Sequence, residues 1–422
     1  MANHHCRPQP AALRLLAHPS RRRPVREIVE RWAGKVNRLI DSFRRVMKRP
    51  IQMLASLMLA VSTNAHASLT FVEAQVIPNC HGNDVLLVDC SGNGHPDAIV
   101  ANGSADKPLP SKLWINDGSG HFRDSGQDLG CAKSWSISCG RTHRGGATDL
   151  FIANGDWNHG DASHLWINDG QGRFNRSSVI FDTANTSCAV LGDLNGGGVM
   201  DLFVANHPYA DGHGGGCEVW LNNGDGGFIN TGQHLAPISA PRRVKLVDVD
   251  GDGSLDAIVL NAAGQDNAIF INDGKGHFTK SPENIGQGEN IDVAVGDIDN
   301  DGKADLVIAK GAWGKTPKGI EVWHNEGNGH FVRRQCLGTN DVYGVAMADL
   351  NGNGYVDIVA VCGPDQPNQI FLNNGKGFFV DAKVDIGKGG NKVAIADLNH
   401  DNLFDLLIVG DDCARVLLQF RP

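Results

Sequence analysis

The sequence predicts an all-β chain, a seven-bladed β-propeller of four-stranded antiparallel blades whose last blade is closed by the N-terminal strand. Three observations predict it. An acidic loop returns about every 50 residues, an aromatic Asn–Gly hairpin interleaves with it, and the final repeat stops one strand short.

The acidic loop is clearest as Asp248-Val-Asp250-Gly-Asp252-Gly253-Ser-Leu-Asp256 and Asp297-Ile-Asp299-Asn-Asp301-Gly302-Lys-Ala-Asp305. Softer copies begin at Asp89, Asp193, Asp349 and Asp397, with successive spacings of 104, 55, 49, 52 and 48 from Asp89 onward. The first gap is two periods of 52, so a seventh copy begins at Arg141, with Asp149 in its last position. The hairpin, aromatic-x-Asn-x-Gly-x-Gly-x-Phe, recurs from Trp114, Trp166, Trp220, Phe270, Trp323 and Phe371. Asn and Gly between apolar alternations supply the positive φ of a tight hairpin turn. A nucleotide-binding reading of the glycines fails, because no helix follows them.

Each repeat therefore reads as four short strands. An inner apolar strand (244–247, 293–296) leads through the acidic loop to a second (257–260, 306–309). A variable loop then leads to the aromatic strand, and the Gly turn to a fourth. Repeats of this size and strand count are propeller blades. The repeated Trp114, Trp166, Trp220 and Trp323 are assigned to packing between blades. The last repeat ends at Gln419-Phe-Arg-Pro in the third-strand register, and Ser68-Leu-Thr-Phe71-Val resembles a fourth strand. Pairing the two removes an open sheet edge.

Composition agrees. Gly supplies 53 of 422 residues without a G-X-Y period, which excludes collagen, and 41% hydrophobic residues are enough for a packed core. The net charge of −9 hides an asymmetry: residues 1–67 carry 13 Lys/Arg and 3 Asp/Glu, leaving 25 basic and 44 acidic residues in the rest. Such an acidic body repels nucleic acid and suits a protein that takes oxygen-ligated cations.

Lys48-Arg49, the apolar run 51–61 and Ala65-His66-Ala67 form a signal peptide at 47–67, cleaved near Ala67-Ser68, which implies a secreted, periplasmic or cell-surface protein. The run is shorter than the roughly 20 apolar residues of a membrane span. Residues 1–46 are a basic segment with Val36, Leu39, Ile40, Phe43 and Val46 at helical spacing. Because Met47 already opens a complete signal peptide, this segment is read as a start-site misassignment, with a membrane-surface helix as the alternative. The propeller occupies 68–422.

Asp at positions one, three, five and nine with Gly at six suits a hard cation such as Ca²⁺, which takes six to eight oxygens. Alternate side chains converge, and Gly at six permits the left-handed turn. The closing acid comes three residues sooner than in the helical calcium loop, and the flanks are strands. An ion-free turn held by Asx hydrogen bonds is the competing reading; four converging charges argue for the ion at 248 and 297. Asp397, Asn399, Asp401 and Asp405 keep the donors, with Asn402 in the Gly position. Asp89, Ser91, Asn93, Asp97 and Asp349, Asn351, Asn353, Asp357 offer two charges each and weaker binding; Asp193, Asn195, Asp201 lack the third donor, with Gly197 in its place. About four to six structural Ca²⁺ sites result. The seventh copy has Arg141, His143 and Gly145 where donors belong and is expected to be metal-free; residues 131–146 are read as the product of paired reading-frame shifts.

These loops and hairpins together resemble the FG-GAP/VCBS repeat family, which includes the head of integrin α-chains, fungal lectins and bacterial surface proteins. The resemblance covers about 68–422. It implies a seven-bladed propeller with structural calcium in the blade loops; the Arg141 copy departs from the pattern.

The acidic loops and Gly turns share one face, and the variable loops the other: 102–112, 154–164, 206–217, 309–319 and 363–368. They carry residues the repeat does not need, of which Trp157, His159, Tyr209 and Trp313 are the candidate ligand contacts, since aromatics on sheet-supported loops suit sugars or protein side chains. His207, His213 and Cys217 are a lesser candidate for a transition metal. No Ser/His/Asp set, nucleophile elbow or H-E-x-x-H stands out. Nine cysteines follow residue 67, with Cys131 and Cys139 the pair closest in sequence. The expected function is that of a monomeric binding module for a glycan or protein ligand on the face opposite the calcium loops, not an enzyme. The alternatives are a polysaccharide lyase or dehydratase on the same fold, or a structural surface protein.

Overall fold

Short apolar runs bounded by Asp and Gly turns yield twenty-eight strands and, among the described residues, no helix. The computed structural model describes residues 69–421 apart from 104–108, 156–161, 182–184, 210–213, 238 and 312–317. The expected signal peptide and upstream segment lie outside these residues. No helix among them is long and apolar enough to cross a membrane.

The strands form seven four-stranded antiparallel sheets. Six are local in the chain, spanning 82–132, 134–176, 186–230, 241–280, 290–337 and 342–381. The seventh takes Lys392–Ala396, Asp405–Val409 and Cys413–Phe420, and its fourth strand is Thr70–Pro78, paired from Thr70 opposite Phe420 to Pro78 opposite Cys413. Each inner strand packs against that of the next blade, and the seventh against the first, so the ring is closed. The seven-bladed architecture and its head-to-tail closure are thus as the sequence predicts.

The core lies between blades. Second strands such as Asp97–Asn102, Asp256–Asn261 and Asp357–Cys362 are buried at every residue, which is why they read as continuous apolar runs. Phe203 and Val219 of blade three pack on Phe270 and Phe278 of blade four. At the closing seam, Leu407 and Val416 pack on Val100 and Phe122. Trp166, Trp220 and Trp323 are buried in clusters of this kind, and Trp114 packs on the seam cluster.

The conserved shape of the hairpin has a second cause. The Asn that opens each Gly turn donates its Nδ2 to a loop carbonyl of the preceding blade: Asn168 to Cys90, Asn222 to Thr142, Asn272 to Leu194, Asn325 to Val249 and Asn373 to Ile298. Asn116 reaches Leu398 across the seam, and Gln419 reaches Leu350 from blade seven. Seven buried amides thus stitch the seven blades into a circle, each contributing about 0.5–1.5 kcal/mol.

Residues 131–146 fold in register. Ser134–Gly140 is an inner strand paired with Asp149–Asn154, and the Ser136 and Ser138 hydroxyls accept the N–H groups of Ala189 and Leu191 in the next blade. Cys139 is a free, half-buried thiol.

Candidate functional site

Position nine of the acidic loop is the most uniform part of the repeat, and the structure gives it a role in all seven blades. Asp97, Asp149, Asp201, Asp256, Asp305, Asp357 and Asp405 are buried, each at most 1% exposed. One oxygen of each accepts the N–H of loop position two, and the other accepts the N–H of the Asn or Gln that opens the hairpin: Cys90 and Asn116 for Asp97, Val249 and Asn272 for Asp256, Leu398 and Gln419 for Asp405. This explains why Asp149 persists in the blade that has lost the other acids. It still clamps Thr142 and Asn168, and the Thr142 hydroxyl and His143 crowd its remaining oxygen surface. Asp149→Ala should therefore cost about 2 kcal/mol for its orphaned N–H donors, equally with and without calcium, as read by urea denaturation.

Position one folds the loop. Asp248 accepts the N–H groups of Gly251 and Gly253, and Asp297 those of Asp301 and Gly302. Asn402 takes φ of 64°, the left-handed conformation that Gly253 takes at 89°. The Asx turn and the cation cage are thus one construction, with the carboxylates of positions one and nine prearranged by backbone.

Acid groups converge tightly in two loops. In one, ligand atoms of Asp248, Asp250 and Asp256 lie within 4.8 Å of one another, and in the other those of Asp297, Asp299 and Asp305 do. Both fit a cation; Asp252 stands apart from the first cluster, its carboxylate accepting the Ser254 N–H. Burial pushes the Asp256 carboxyl up to about 6 against two backbone N–H groups, with Asp250 and Asp252 adding to the rise. A dication there would supply the missing counter-charge. In the other loops neutral amides do part of this work. Asn351 donates to Asp357, Asn195 to Asp201, Asn399 to Asp401, and Asn93 to the Asn116 carbonyl. Asp89, Asp193 and Asp349 close their Asx turns as Asp248 does. Ser91 Oγ is buried without a partner.

The opposite face holds a feature that the motifs do not reveal. Six inner strands begin two or three residues earlier than their apolar runs, and each carries a register shift there, for example between Pro241 and Arg243 or between Val342 and Gly344. A bulge leaves one residue out of the ladder and re-aims its side chain. The residues so placed, Asn83, Trp135, Ser187, Arg242, Ile291 and Tyr343, all line one cavity of about 510 Å³ at the mouth of the axis, joined by Asn391 of blade seven. His81, Asn185, His207, Arg243, Pro364 and Asp411 complete its wall. The Trp135 ring is held by its Nε1 on the Gly155 carbonyl and by Lys133, 4.9 Å from the ring centre. Burial pulls the Arg242 guanidinium down to about 10, with Arg243 adding to the fall and Glu289 opposing it.

Arg243, which lines the cavity, also belongs to a charged layer on the inner strands. Arg243 donates to the carbonyls of Trp135 and Asn83 and stands 3.6 Å from Asp84 and 3.9 Å from Asp292. Lys392 donates to Asp292, whose other oxygen accepts the Val345 N–H. One signal in the sequence points here: Asp84, Arg243, Asp292 and Lys392 are charges at the heads of otherwise apolar strands.

Of the expected ligand contacts, Trp157, His159 and Trp313 lie outside the described residues. Tyr209 is half-buried beside Gly214 and is not among the residues that line the cavity. The His207, His213, Cys217 grouping does not assemble among the described residues. Cys217 is sealed in the core between blades three and four, where burial raises its thiol pKa, while His207 lines the cavity; His213 is outside the described residues.

Fold and loops together define a β-propeller carrying acidic cation-type turns. A family model described as an FG-GAP-like repeat matches residues 193–259, 248–308, 311–360 and 349–408, which take in the acidic loops of blades three to seven. The chain belongs to the FG-GAP repeat family. Its fold is similar to that of BBS1N in complex with ARL6DN, with a TM-score of 0.57 and 11% identity over 83% of this chain and 97% of that one. It is also similar to the BP39L lectin from Burkholderia pseudomallei, with a TM-score of 0.53 and 14% identity over 83% and 95%. At such identities the likeness concerns the fold. No curated protein sequence matches the chain.

Proposed function

We propose that the protein is a secreted, calcium-stabilised propeller that acts as a binding module, with its ligand seated in the axial cavity on the face opposite the acidic loops. The observation that carries this reading is the set of bulges that turn one residue from each of six blades into a single pocket. Its mixture of two aromatic rings, a guanidinium, imidazoles and amides around about 510 Å³ suits a short glycan terminus. Arg242 holds its charge against burial and against Arg243, so an acidic group on the ligand gains there. A protein loop is the alternative occupant. The signal peptide at 47–67 supports export, and the Asp248 cluster supports calcium.

A glycan array run with the chain from Ser68 onward tests this. Binding should fall at least about tenfold in Trp135→Ala and Arg242→Ala, each with a melting temperature within a few degrees of the parent. Binding that survives both substitutions would remove the ligand from the cavity. Appearance of unsaturated or reducing sugar ends would replace the binding reading with the enzymatic one.

A further inference from the structure

The acidic loop of blade five differs from its counterparts in one residue outside the loop. The residue between the aromatic side chain and Asn of the hairpin strand is aliphatic in six blades: Ile115, Ile167, Leu221, Ile271, Leu372 and Leu418. In blade five it is His324. In blade five the position is buried, with His324 only 6% exposed, while its aliphatic counterparts are buried or half-buried, so an imidazole stands where the other blades place an apolar side chain.

That imidazole faces the carboxylates. Its Nδ1 lies 3.0 Å from Asp305 Oδ1 and 3.6 Å from Asp299 Oδ2 yet makes no hydrogen bond. Asp299 Oδ1 is likewise buried without a partner. Ligand atoms of Asp299, Asp301 and His324 lie within 4.8 Å of one another, next to the Asp297, Asp299, Asp305 group. His324 Nδ1 and Asp299 Oδ1, two buried atoms without hydrogen-bond partners, lie among carboxylates that already converge, where a bound cation would supply the missing interaction.

The surrounding charges lower the demand for a purely ionic, multi-carboxylate cage. Arg334 donates to Asp299 Oδ2 and Lys303 to Asp301 Oδ2, holding those oxygens from outside. Among the described residues no Lys, Arg or His pairs with Asp248, Asp250 or Asp256 in the 248 loop. Calcium takes oxygen donors and tunes its affinity by ligand charge, whereas imidazole suits borderline metals such as zinc.

We propose that the blade-five loop is a divalent transition-metal site of the zinc class, with His324 Nδ1, Asp299 and Asp301 as ligands and Asp305 beside them, and with Arg334 and Lys303 orienting the carboxylates. It is distinct from the all-oxygen loop at 248 and independent of what the axial cavity binds.

The test uses the chain from Ser68 onward, stripped with chelator. Zn²⁺ is titrated against a chromophoric competitor in the presence of excess Ca²⁺, and Co²⁺ binding is followed by its visible absorption. The wild type should bind one Zn²⁺ that Ca²⁺ does not displace, and its Co²⁺ band should report nitrogen coordination. His324→Ile restores the side chain of the other blades; it should bind Zn²⁺ at least about tenfold more weakly, lose the Co²⁺ band, and keep its thermal response to Ca²⁺. Asp301→Asn, on the exposed part of the loop, should weaken Zn²⁺ comparably and keeps the test decisive if His324→Ile folds poorly. Zn²⁺ affinity unchanged in Asp301→Asn and in a folded His324→Ile, or complete displacement of Zn²⁺ by Ca²⁺ in the wild type, overturns the assignment.

Discussion

Asp292→Ala should destabilise the propeller by about 3–5 kcal/mol, the scale for removing one partner of a buried ion pair. Asp292 sits at the crossing point of the charged layer. Its loss leaves Lys392 without its hydrogen-bond acceptor, removes one of the two carboxylates beside Arg243, and orphans the Val345 N–H. The groups are too enclosed for water to substitute: Asp292 and Lys392 side chains are 1% and 11% exposed. Burial alone would raise the Asp292 carboxyl, but Lys392 and Arg243 hold it below its ordinary 3.8. A carboxyl depressed in the folded state contributes stability above the unfolded value and loses it as pH falls through the folded one. The wild type should therefore lose this contribution below about pH 4, and Asp292→Ala should show a shallower acid limb. Burial pulls the Lys392 ammonium down even with Asp292 beside it, so the pair is costly to enclose. Asp292→Leu combined with Lys392→Met should consequently recover part of the loss, leaving the cost of the orphaned Val345 N–H and of the Arg243 charge with one carboxylate fewer. Urea denaturation at pH 7 and pH 4 checks all three. A loss under about 1 kcal/mol in Asp292→Ala would mean that Arg243 and Asp84 hold the charged layer by themselves.

Removal of divalent ions should be the second large effect. A site held at a hundred times its dissociation constant contributes about 2.7 kcal/mol, so two filled loops contribute about 5 kcal/mol. At roughly 2 °C per kcal/mol for a domain of this size, excess chelator should lower the melting temperature by about 10 °C. Asp250→Ala should remove about half of that response, because Asp250 belongs to the 248 cluster and accepts one exposed backbone N–H, that of Asp252, where Asp256 clamps two buried ones. The proposed sites at 248 and 297 are the ones whose acids converge. A melt that does not move in chelator would leave the Asx turns as the whole explanation of the loops.

What the sequence makes legible follows from what the repeat must conserve. A blade is a module, so the residues its turns require recur at blade spacing, and Asp248 to Asp256 can be read as a unit without knowing its neighbours. Closure was equally readable, since a missing fourth strand and a spare first one are complementary. The axial cavity was not. A bulge is a property of backbone register, and Asn83, Trp135, Ser187, Arg242, Ile291 and Tyr343 share no chemistry that a motif could record. The charged layer that shares Arg243 with it is assembled from residues far apart in the chain, Asp84 to Lys392, that only a closed ring brings together. His324 was hidden in the unspecified position of the hairpin motif. The clamping role of position nine was also masked, because Asp at that place satisfies both a metal-loop reading and a backbone one.

The closing seam carries a mechanical consequence. Thr70 lies directly opposite Phe420, and the two strands run antiparallel from that point. Tension applied to these two residues falls on one end of the ladder and peels its hydrogen bonds in sequence, whereas a parallel pair would be loaded in shear with all bonds resisting together. Blade seven is therefore the place where a pulled molecule gives way, at low force, while the other six blades are still intact.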